Sequence, residues 1–195
     1  MTTFTIAPLA TPAPLAPTGT VATDTPTFAW TAVANAARYD LWVDNATTGT
    51  SQVIRQSQLV GTTWTSTALS PGNTYNWWIR ALSSNGTAGP WCLMQTFAVA
   101  ALATPVLVGP SGTIASTTPT FQWNAAPLAH HYELWVNDLT SGGTPLWNGN
   151  IAATTYTPAS QLLTAGHQYR WWVRAISANG TVSNWSNPLD FTIST

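Results

Sequence analysis

Tyr75-Asn-Trp-Trp-Ile-Arg80 occurs a second time in this chain as Tyr169-Arg-Trp-Trp-Val-Arg174, and this repeated hexapeptide is its clearest structural signal. Side chains alternate across a β-strand, so the first, third and fifth residues of each copy share one face and the others share the opposite face. The first face is apolar, whereas the second combines an indole with a guanidinium group. We therefore predict two equivalent strands, each with a buried apolar face and an outer face of tryptophan and arginine.

The hexapeptide belongs to a longer internal repeat, in which Trp30 recurs as Trp123. The offset between the copies is the length of a whole domain and exceeds the roughly 20 to 50 residues of a solenoid turn. We predict one domain over residues 12–100 and a second domain over residues 101–195.

Residues 1–11 precede the first domain but resemble the end of one. Phe4 and Ile6 match the alternating apolar residues of Phe97-Ala-Val99 and Phe191-Thr-Ile193, which end the two units. We predict that residues 1–11 are a leading strand that resembles the last strand of a preceding repeat. Either the chain is part of a longer tandem array, or Phe4 and Ile6 contact an open sheet edge of a neighbour by strand donation.

Short runs of alternating apolar residues fill both units, separated by clusters of Gly, Pro, Asn, Ser and Thr. Six such runs lie between Thr27 and Val99, and six more lie between Thr120 and Ser194. No stretch has the period of an amphipathic helix. The pattern predicts an all-β chain with two tandem immunoglobulin-like β-sandwiches.

Each unit resembles a fibronectin type III domain. Leu69-Ser-Pro-Gly-Asn-Thr-Tyr75 is similar to the Leu-x-Pro-Gly-x-x-Tyr corner of that family, and Leu163-Thr-Ala-Gly-His-Gln-Tyr169 lacks only the proline. An inward tryptophan, Trp30 or Trp123, lies on the second strand of each unit. The resemblance implies fibronectin type III-like domains of the kind found in large bacterial surface or secreted repeat proteins. Such domains serve as spacers, adhesins, receptors or accessories to polysaccharide-degrading enzymes.

The composition excludes some classes of partner, and the first thirty residues bear on how the chain could be exported. Charged residues make up 6% of the chain, and the formal net charge is -1, so we predict neither nucleic-acid binding nor membrane insertion. The single Cys92 excludes an intrachain disulfide. The first thirty residues lack both a basic residue and a continuous apolar run, so they contain no conventional secretory signal. An extracellular or cell-surface location then implies a longer precursor or another export route.

The outer faces supply the candidate binding residues. Trp42 lies on the outer face of the third strand by the same alternation, and Trp91 is expected at the start of the last strand. We predict that one group of side chains lies together in each unit. The first group is Trp42, Trp78, Arg80 and Trp91, and the second is Trp135, Arg170, Trp172, Arg174 and Trp185.

This face has two interpretations. Guanidinium groups stacked on indoles would cover and stiffen the sheet, with about 0.5 to 2 kcal/mol for each cation–π contact. Coplanar, solvent-facing indoles would instead bind the C–H face of a carbohydrate. The stack also resembles that of cytokine receptors, but Ser183-Asn-Trp-Ser186 matches only half of the receptor motif, and the receptor disulfides are absent.

The chain lacks a recognisable catalytic or metal-binding motif. His130, His131 and Glu133 do not have the spacing of zinc ligands, because adjacent residues on a strand point in opposite directions. No nucleophile elbow accompanies the histidines. Asp44-Asn45 and Asn137-Asp138 are interpreted as turn caps. We predict no catalytic residue, no metal and no cofactor.

These observations predict a non-catalytic structural or adhesive module, namely a spacer, stalk or fibre building block of a cell-surface or secreted assembly. Its partners would be other repeats of the parent chain, other copies of itself, a glycan or a surface protein. The alternative is a carbohydrate-binding accessory module that uses the outward tryptophans.

Overall fold

The computed structural model describes residues 8–195. The chain divides into two compact units, residues 1–101 and residues 102–195. All the regular secondary structure in residues 8–195 is β-strand, which confirms the predicted all-β class. Within this part of the chain no helix is long and apolar enough to cross a membrane.

The first unit is a sandwich of a three-stranded and a five-stranded sheet, ordered β1-β3-β6 and β2-β8-β7-β4-β5. Turn residues such as Gly72, whose φ of 78° favours glycine, separate the strands. The strands are β1 (Pro14–Ala16), β2 (Gly19–Val21), β3 (Thr27–Trp30), β4 (Arg38–Asn45), β5 (Thr50–Leu59), β6 (Thr63–Thr65), β7 (Thr74–Leu82) and β8 (Gln95–Val99).

The second unit repeats this topology, with sheets ordered β14-β11-β9 and β10-β16-β15-β12-β13. Its strands are β9 (Leu107–Gly109), β10 (Gly112–Ile114), β11 (Phe121–Trp123), β12 (His131–Asp138), β13 (Leu146–Ile151), β14 (Thr155–Tyr156), β15 (Gln168–Ile176) and β16 (Leu189–Ile193). The six runs predicted for each unit are all present. Two further short strands precede these six in each unit, within residues 12–21 of the first unit and residues 105–114 of the second, which we call the proline-rich segment.

The proline-rich segment connects the two sheets of its unit. In the first unit, β1 pairs antiparallel with β3 of the small sheet, and β2 then pairs parallel with β8 of the large sheet. The second unit does the same with β9 and β10. Short strands at a sheet edge tolerate the missing N–H groups of proline.

The hexapeptides lie in β7 and β15, and the predicted alternation is confirmed. The inward residues Tyr75, Trp77 and Ile79 are buried, as are their counterparts in the second unit. Each inward indole also donates a hydrogen bond, from Trp77 Nε1 to the Pro17 carbonyl (3.3 Å) and from Trp171 Nε1 to the Pro110 carbonyl (3.0 Å). The proline-rich segment is thereby joined to the core of each unit.

The tyrosine corner is present in both units. The backbone N–H of Ser70 donates to the Tyr75 hydroxyl at 2.9 Å, and the N–H of Thr164 donates to the Tyr169 hydroxyl at 2.7 Å. The second corner forms without the proline, because the hydrogen bond needs only the tyrosine and a backbone amide.

The sequence Leu-Ala-Thr-Pro occurs at residues 9–12 and again at residues 102–105. Leu102 packs against the core of the second unit, and Leu9 lies against Gly89 of the first, where a Cβ would be 3.0 Å from the leucine Cβ. Of the predicted leading strand, residues 8–11 are not in a strand. Phe4 and Ile6 lie outside the described residues.

Candidate functional site

Trp42 and Trp78 form the centre of the outer face in the first unit. They are directly opposite each other in the antiparallel pair of β4 and β7. Their ring centroids are 6.4 Å apart, with an interplanar angle of 73°. This edge-to-face contact is a favoured aromatic geometry, but it does not produce one flat surface.

Trp91 joins this face from outside the last strand. We expected it at the start of that strand, but β8 begins only at Gln95. The preceding segment is held to β7 because the N–H of Cys92 donates to the Ile79 carbonyl at 2.9 Å. The Trp91 ring meets Trp42 at 6.1 Å and 84°, so Trp42 makes edge-to-face contacts with both of the other indoles.

A buried carboxylate that sequence reasoning did not single out organises the cations of this face. Asp40 is 1% exposed, and its Oδ2 accepts hydrogen bonds from Arg55 (2.7 Å) and Arg80 (2.9 Å). The guanidinium carbons lie 4.7 Å from the Trp42 ring for Arg55 and 4.3 Å from the Trp91 ring for Arg80. The face is therefore an interlocked stack of two cations, one anion and the indoles.

The second unit builds the same face from different residues. Glu133 takes the place of Asp40, is 6% exposed, and accepts a hydrogen bond from Arg174 Nε at 2.5 Å. Arg174 lies 4.7 Å above the Trp185 ring. Trp185 meets Trp135 edge to face at 6.4 Å.

Arg170 does not take part in this stack. We placed it among the candidates because it alternates with Trp172, but it pairs with Asp190 of β16, at 2.7 Å from Nε to Oδ1. The hydrogen bond and the charge of Arg170 lower the pKa of Asp190 despite its partial burial. Both side chains are well exposed, so this pair contributes little to stability.

In the second unit, Trp147 takes the place that Arg55 has in the first unit. Arg55 is the cross-strand partner of Trp42, and Trp147 is the cross-strand partner of Trp135. The indole Nε1 of Trp147 donates to Glu133 Oε1 at 2.6 Å, where the first unit has a guanidinium. One indole N–H thus substitutes for one charged donor.

Each unit has an open groove between its outer indoles. The groove of the first unit, about 420 Å³, is lined by Trp42, Asp44, Trp78, Trp91 and Cys92. The groove of the second unit, about 360 Å³, is lined by Trp135, Asn137, Trp172 and Trp185. Alternation along the strands indicated the outward direction of Trp42, Trp78, Trp135 and Trp172, whereas Trp91 and Trp185 lie outside the strands.

Asp44 and Asn137 each hold one indole of the groove, Trp42 in the first unit and Trp135 in the second. Asp44 Oδ1 accepts hydrogen bonds from the Trp42 indole (2.5 Å), the Ser51 hydroxyl and the Gln52 amide, whereas Asn137 Oδ1 accepts from the Trp135 indole (2.6 Å). Burial alone would raise the pKa of Asp44, but the hydrogen bonds outweigh burial and lower that pKa.

The remaining polar residues that we considered serve the turns. Asn45 and Asp138 each accept hydrogen bonds from the backbone N–H groups two and three residues later, so of each predicted pair of turn caps the second residue caps the turn. His167 Nδ1 lies 2.8 Å from Asp138 Oδ2. Burial would raise the pKa of Asp138, but hydrogen bonds from His167 and Ser141 hold it well below its usual range. Residues 8–195 contain no group of three or more His, Cys, Asp or Glu side chains that could hold a metal ion.

Comparison of the sequence with known protein families gives one match. Residues 15–103 match a family model described as the Rha78A-like, N-terminal immunoglobulin domain. No curated protein sequence matches the chain.

Among solved structures, the chain is similar to the chicken CNTN1 FN1–FN3 domains and to a two-domain fibronectin type III segment of chicken tenascin. For CNTN1 the identity is 15% and the TM-score 0.37, over 96% of this chain and 68% of that chain. For tenascin the identity is 14% and the TM-score 0.39, over 97% of this chain and all of that chain. The chain is a tandem of two β-sandwiches with the same strand order, and residues 15–103, nearly all in the first, match an immunoglobulin-domain family model.

Proposed function

We propose that the chain is a non-catalytic structural and adhesive module, a spacer, stalk or fibre building block of a cell-surface or secreted assembly. Residues 15–103 match an immunoglobulin-domain model, and domains of this kind are typically non-catalytic structural modules. Within such an assembly, neighbouring repeats, further copies of the chain, a glycan or a surface protein would be its contacts.

The stack of Arg80 and Arg55 on the indoles of the first unit carries this proposal. The charged groups of the face are directed at one another: Asp40 binds both arginines, and both arginines cover indole rings. The edge-to-face angles of 73° and 84° leave no coplanar platform for a flat ligand. A surface whose charged groups bind one another and cover its indole rings supports a role in stiffening the sandwich.

Replacing the central indole of each face tests the structural role against the carbohydrate-binding alternative. Trp78→Ala and Trp172→Ala should each lower the free energy of unfolding by about 1–2 kcal/mol, since both remove a half-buried ring from the stack. Urea unfolding measures the loss, and a glycan array of the same variants provides the matched binding data. If either variant stays as stable as the unmodified chain and loses a glycan that the chain binds, the outward tryptophans are an accessory binding site instead.

Location and assembly need separate tests. Antibodies against the chain should label intact cells or the culture medium of the organism that produces it, and a purely intracellular signal would contradict the proposal. Strand donation by Phe4 and Ile6 is tested by deleting residues 1–8 and measuring the oligomeric state by light scattering. An unchanged oligomeric state would exclude strand donation.

A further inference from the structure

Trp147 differs from the other outer indoles in its exposure. It is 58% exposed, against 38% for Trp135, and these two are the only exposed tryptophans of residues 8–195. It lies on β13, which is an edge strand of the five-stranded sheet. The register of β12 and β13 shifts beside it, and such a bulge re-aims the neighbouring side chains. The second unit therefore presents one indole to solvent at a sheet edge.

This indole is held in place before any ligand arrives. Its Nε1 donates to the buried Glu133 at 2.6 Å, and Glu133 is itself fixed by Arg174. The edge of the ring that adjoins Nε1 also lies close to Gly149, where a Cβ would be only 3.0 Å from Cζ2. The hydrogen bond and the close glycine together fix the orientation of the ring, so binding a ligand to its face costs little side-chain entropy.

Polar groups surround the exposed ring in a shallow depression of about 600 Å³, large enough for one or two sugar rings. Arg174 donates to Glu133 only through Nε, so its terminal nitrogens have no hydrogen-bond acceptor among the described residues. Asn148 accepts the Asn150 N–H through Oδ1, which leaves its amide N–H groups available. The depression is lined by Glu133, Trp147, Asn148, Gly149, Asn150, Arg174 and Ile176.

We propose that this depression binds a neutral pyranose sugar, whose C–H face stacks on Trp147 and whose hydroxyl groups accept hydrogen bonds from Arg174 and Asn148. The single carboxylate and single guanidinium cancel, so the site offers no net charge for a phosphate-bearing ligand. The amide and guanidinium donors do not suit a purely apolar chain. A ring with an apolar face and a polar rim satisfies both requirements.

The first unit supplies the natural control. Arg55 stands at the register position of Trp147, covers the Trp42 ring and binds the buried carboxylate. That unit therefore has no exposed indole at its corresponding edge strand, and the proposed sugar site belongs to the second unit alone. The site is independent of the structural role proposed above, because the stack of Arg174 on Trp185 does not need a ligand.

The test uses the full chain and a panel of methyl pyranosides, including glucose, galactose, mannose and N-acetylglucosamine derivatives. Saturation-transfer NMR should detect binding of at least one sugar, and the indole N–H signal of Trp147 should shift on titration. Trp147→Arg copies the first unit, so it should fold normally and bind the sugar about ten-fold more weakly or not at all. Trp172→Ala, which alters the neighbouring groove instead, should retain sugar binding.

Three results would overturn the proposal. One is a panel in which no pyranoside binds the unmodified chain, and another is binding that Trp147→Arg leaves unchanged. The third is self-association without sugar binding, seen by sedimentation and removed by Trp147→Arg, because it would make a second copy of the chain the occupant of this edge. None of these results changes the unfolding free energies on which the structural proposal depends.

Discussion

The outer faces of the two units differ in the side chains that donate hydrogen bonds to a buried carboxylate. Each has a buried carboxylate, Asp40 in the first unit and Glu133 in the second. The first pairs it with two guanidinium groups, whereas the second uses one guanidinium and one indole N–H. The position of the second donor on the edge strand is therefore free to vary, provided that it still donates a hydrogen bond to the acid.

The inner faces of the two units, by contrast, hardly differ. Trp77 and Trp171 are both 0% exposed, and each donates to a proline carbonyl of the preceding segment. The inner face sets the fold, and the exchange of Arg55 for Trp147 on the outer face changes only which group meets solvent.

The largest effect should come from the part that the units share. Trp77→Ala and Trp171→Ala should each destabilise their own unit by about 3–5 kcal/mol, because each removes a fully buried indole and leaves a cavity. Hydrogen exchange measured peptide by peptide assigns the loss to one unit. Clearly unequal losses would show that the two cores are not equivalent.

Replacing an arginine that binds the buried carboxylate should lower the unfolding free energy more in the second unit than in the first. Arg174→Ala leaves Glu133 buried with only an indole donor, so we expect a loss of about 3 kcal/mol. Arg80→Ala leaves Asp40 paired with Arg55, so we expect about 1 kcal/mol. Urea unfolding measures both. The double variant Arg174→Ala with Glu133→Gln should recover part of the larger loss, and equal losses for the two single variants would contradict the comparison.

Acid should affect the turn of the second unit more than the turn of the first. The pKa of Asp138 in the folded state lies below its ordinary value of 3.8, so this group stabilises the folded chain at higher pH and loses that contribution as the pH falls below about 4. The first unit has Asn45 there, which does not titrate. Asp138→Asn should flatten the dependence of unfolding free energy on pH between about pH 5 and pH 2. The reverse change, Asn45→Asp, is the matched control and should add an acid-sensitive group, and an unchanged profile for Asp138→Asn would exclude this role.

The smallest effect concerns the thiol. The N–H of Ile79 donates to Cys92 Sγ at 3.3 Å, and the N–H of Val173 donates to Ser186 Oγ at 3.1 Å in the equivalent place. Cys92→Ser should therefore change the unfolding free energy by about 1 kcal/mol or less. Burial raises the pKa of Cys92, so alkylation of the folded chain near pH 8 should be slow. Rapid alkylation, or a large loss of stability, would show that the two positions are not equivalent.

Alternation along the strands predicted most of the fold, because a half-buried strand must place apolar residues at every second position. It placed Trp77 inward and Trp78 outward, and the tyrosine corner at Tyr75 was readable from its local motif. The short strands β1, β2, β9 and β10 are not among the six runs predicted for each unit, since three residues are too few to show an alternating period.

The site was predicted only in part. Asp40 and Glu133 alternate outward, where a charged residue is expected to be solvated, yet both are buried and bound by side chains of neighbouring strands. Arg55 comes from a strand whose residues are mostly exposed, so nothing in its local sequence indicated the stack. Cross-strand register, which joins Trp42 to Arg55 and Trp135 to Trp147, is the information that single-strand patterns lack.

The parallel pairing of β2 with β8 and of β10 with β16 has a mechanical consequence. These strands lie near the two ends of each unit and run in the same direction, in register from Gly19 with Phe97 and from Gly112 with Phe191. Tension that pulls the ends of a unit apart therefore loads these backbone hydrogen bonds in shear, so they must break together instead of one after another. These parallel strand pairs should therefore set the force at which each sandwich unfolds when the chain is stretched.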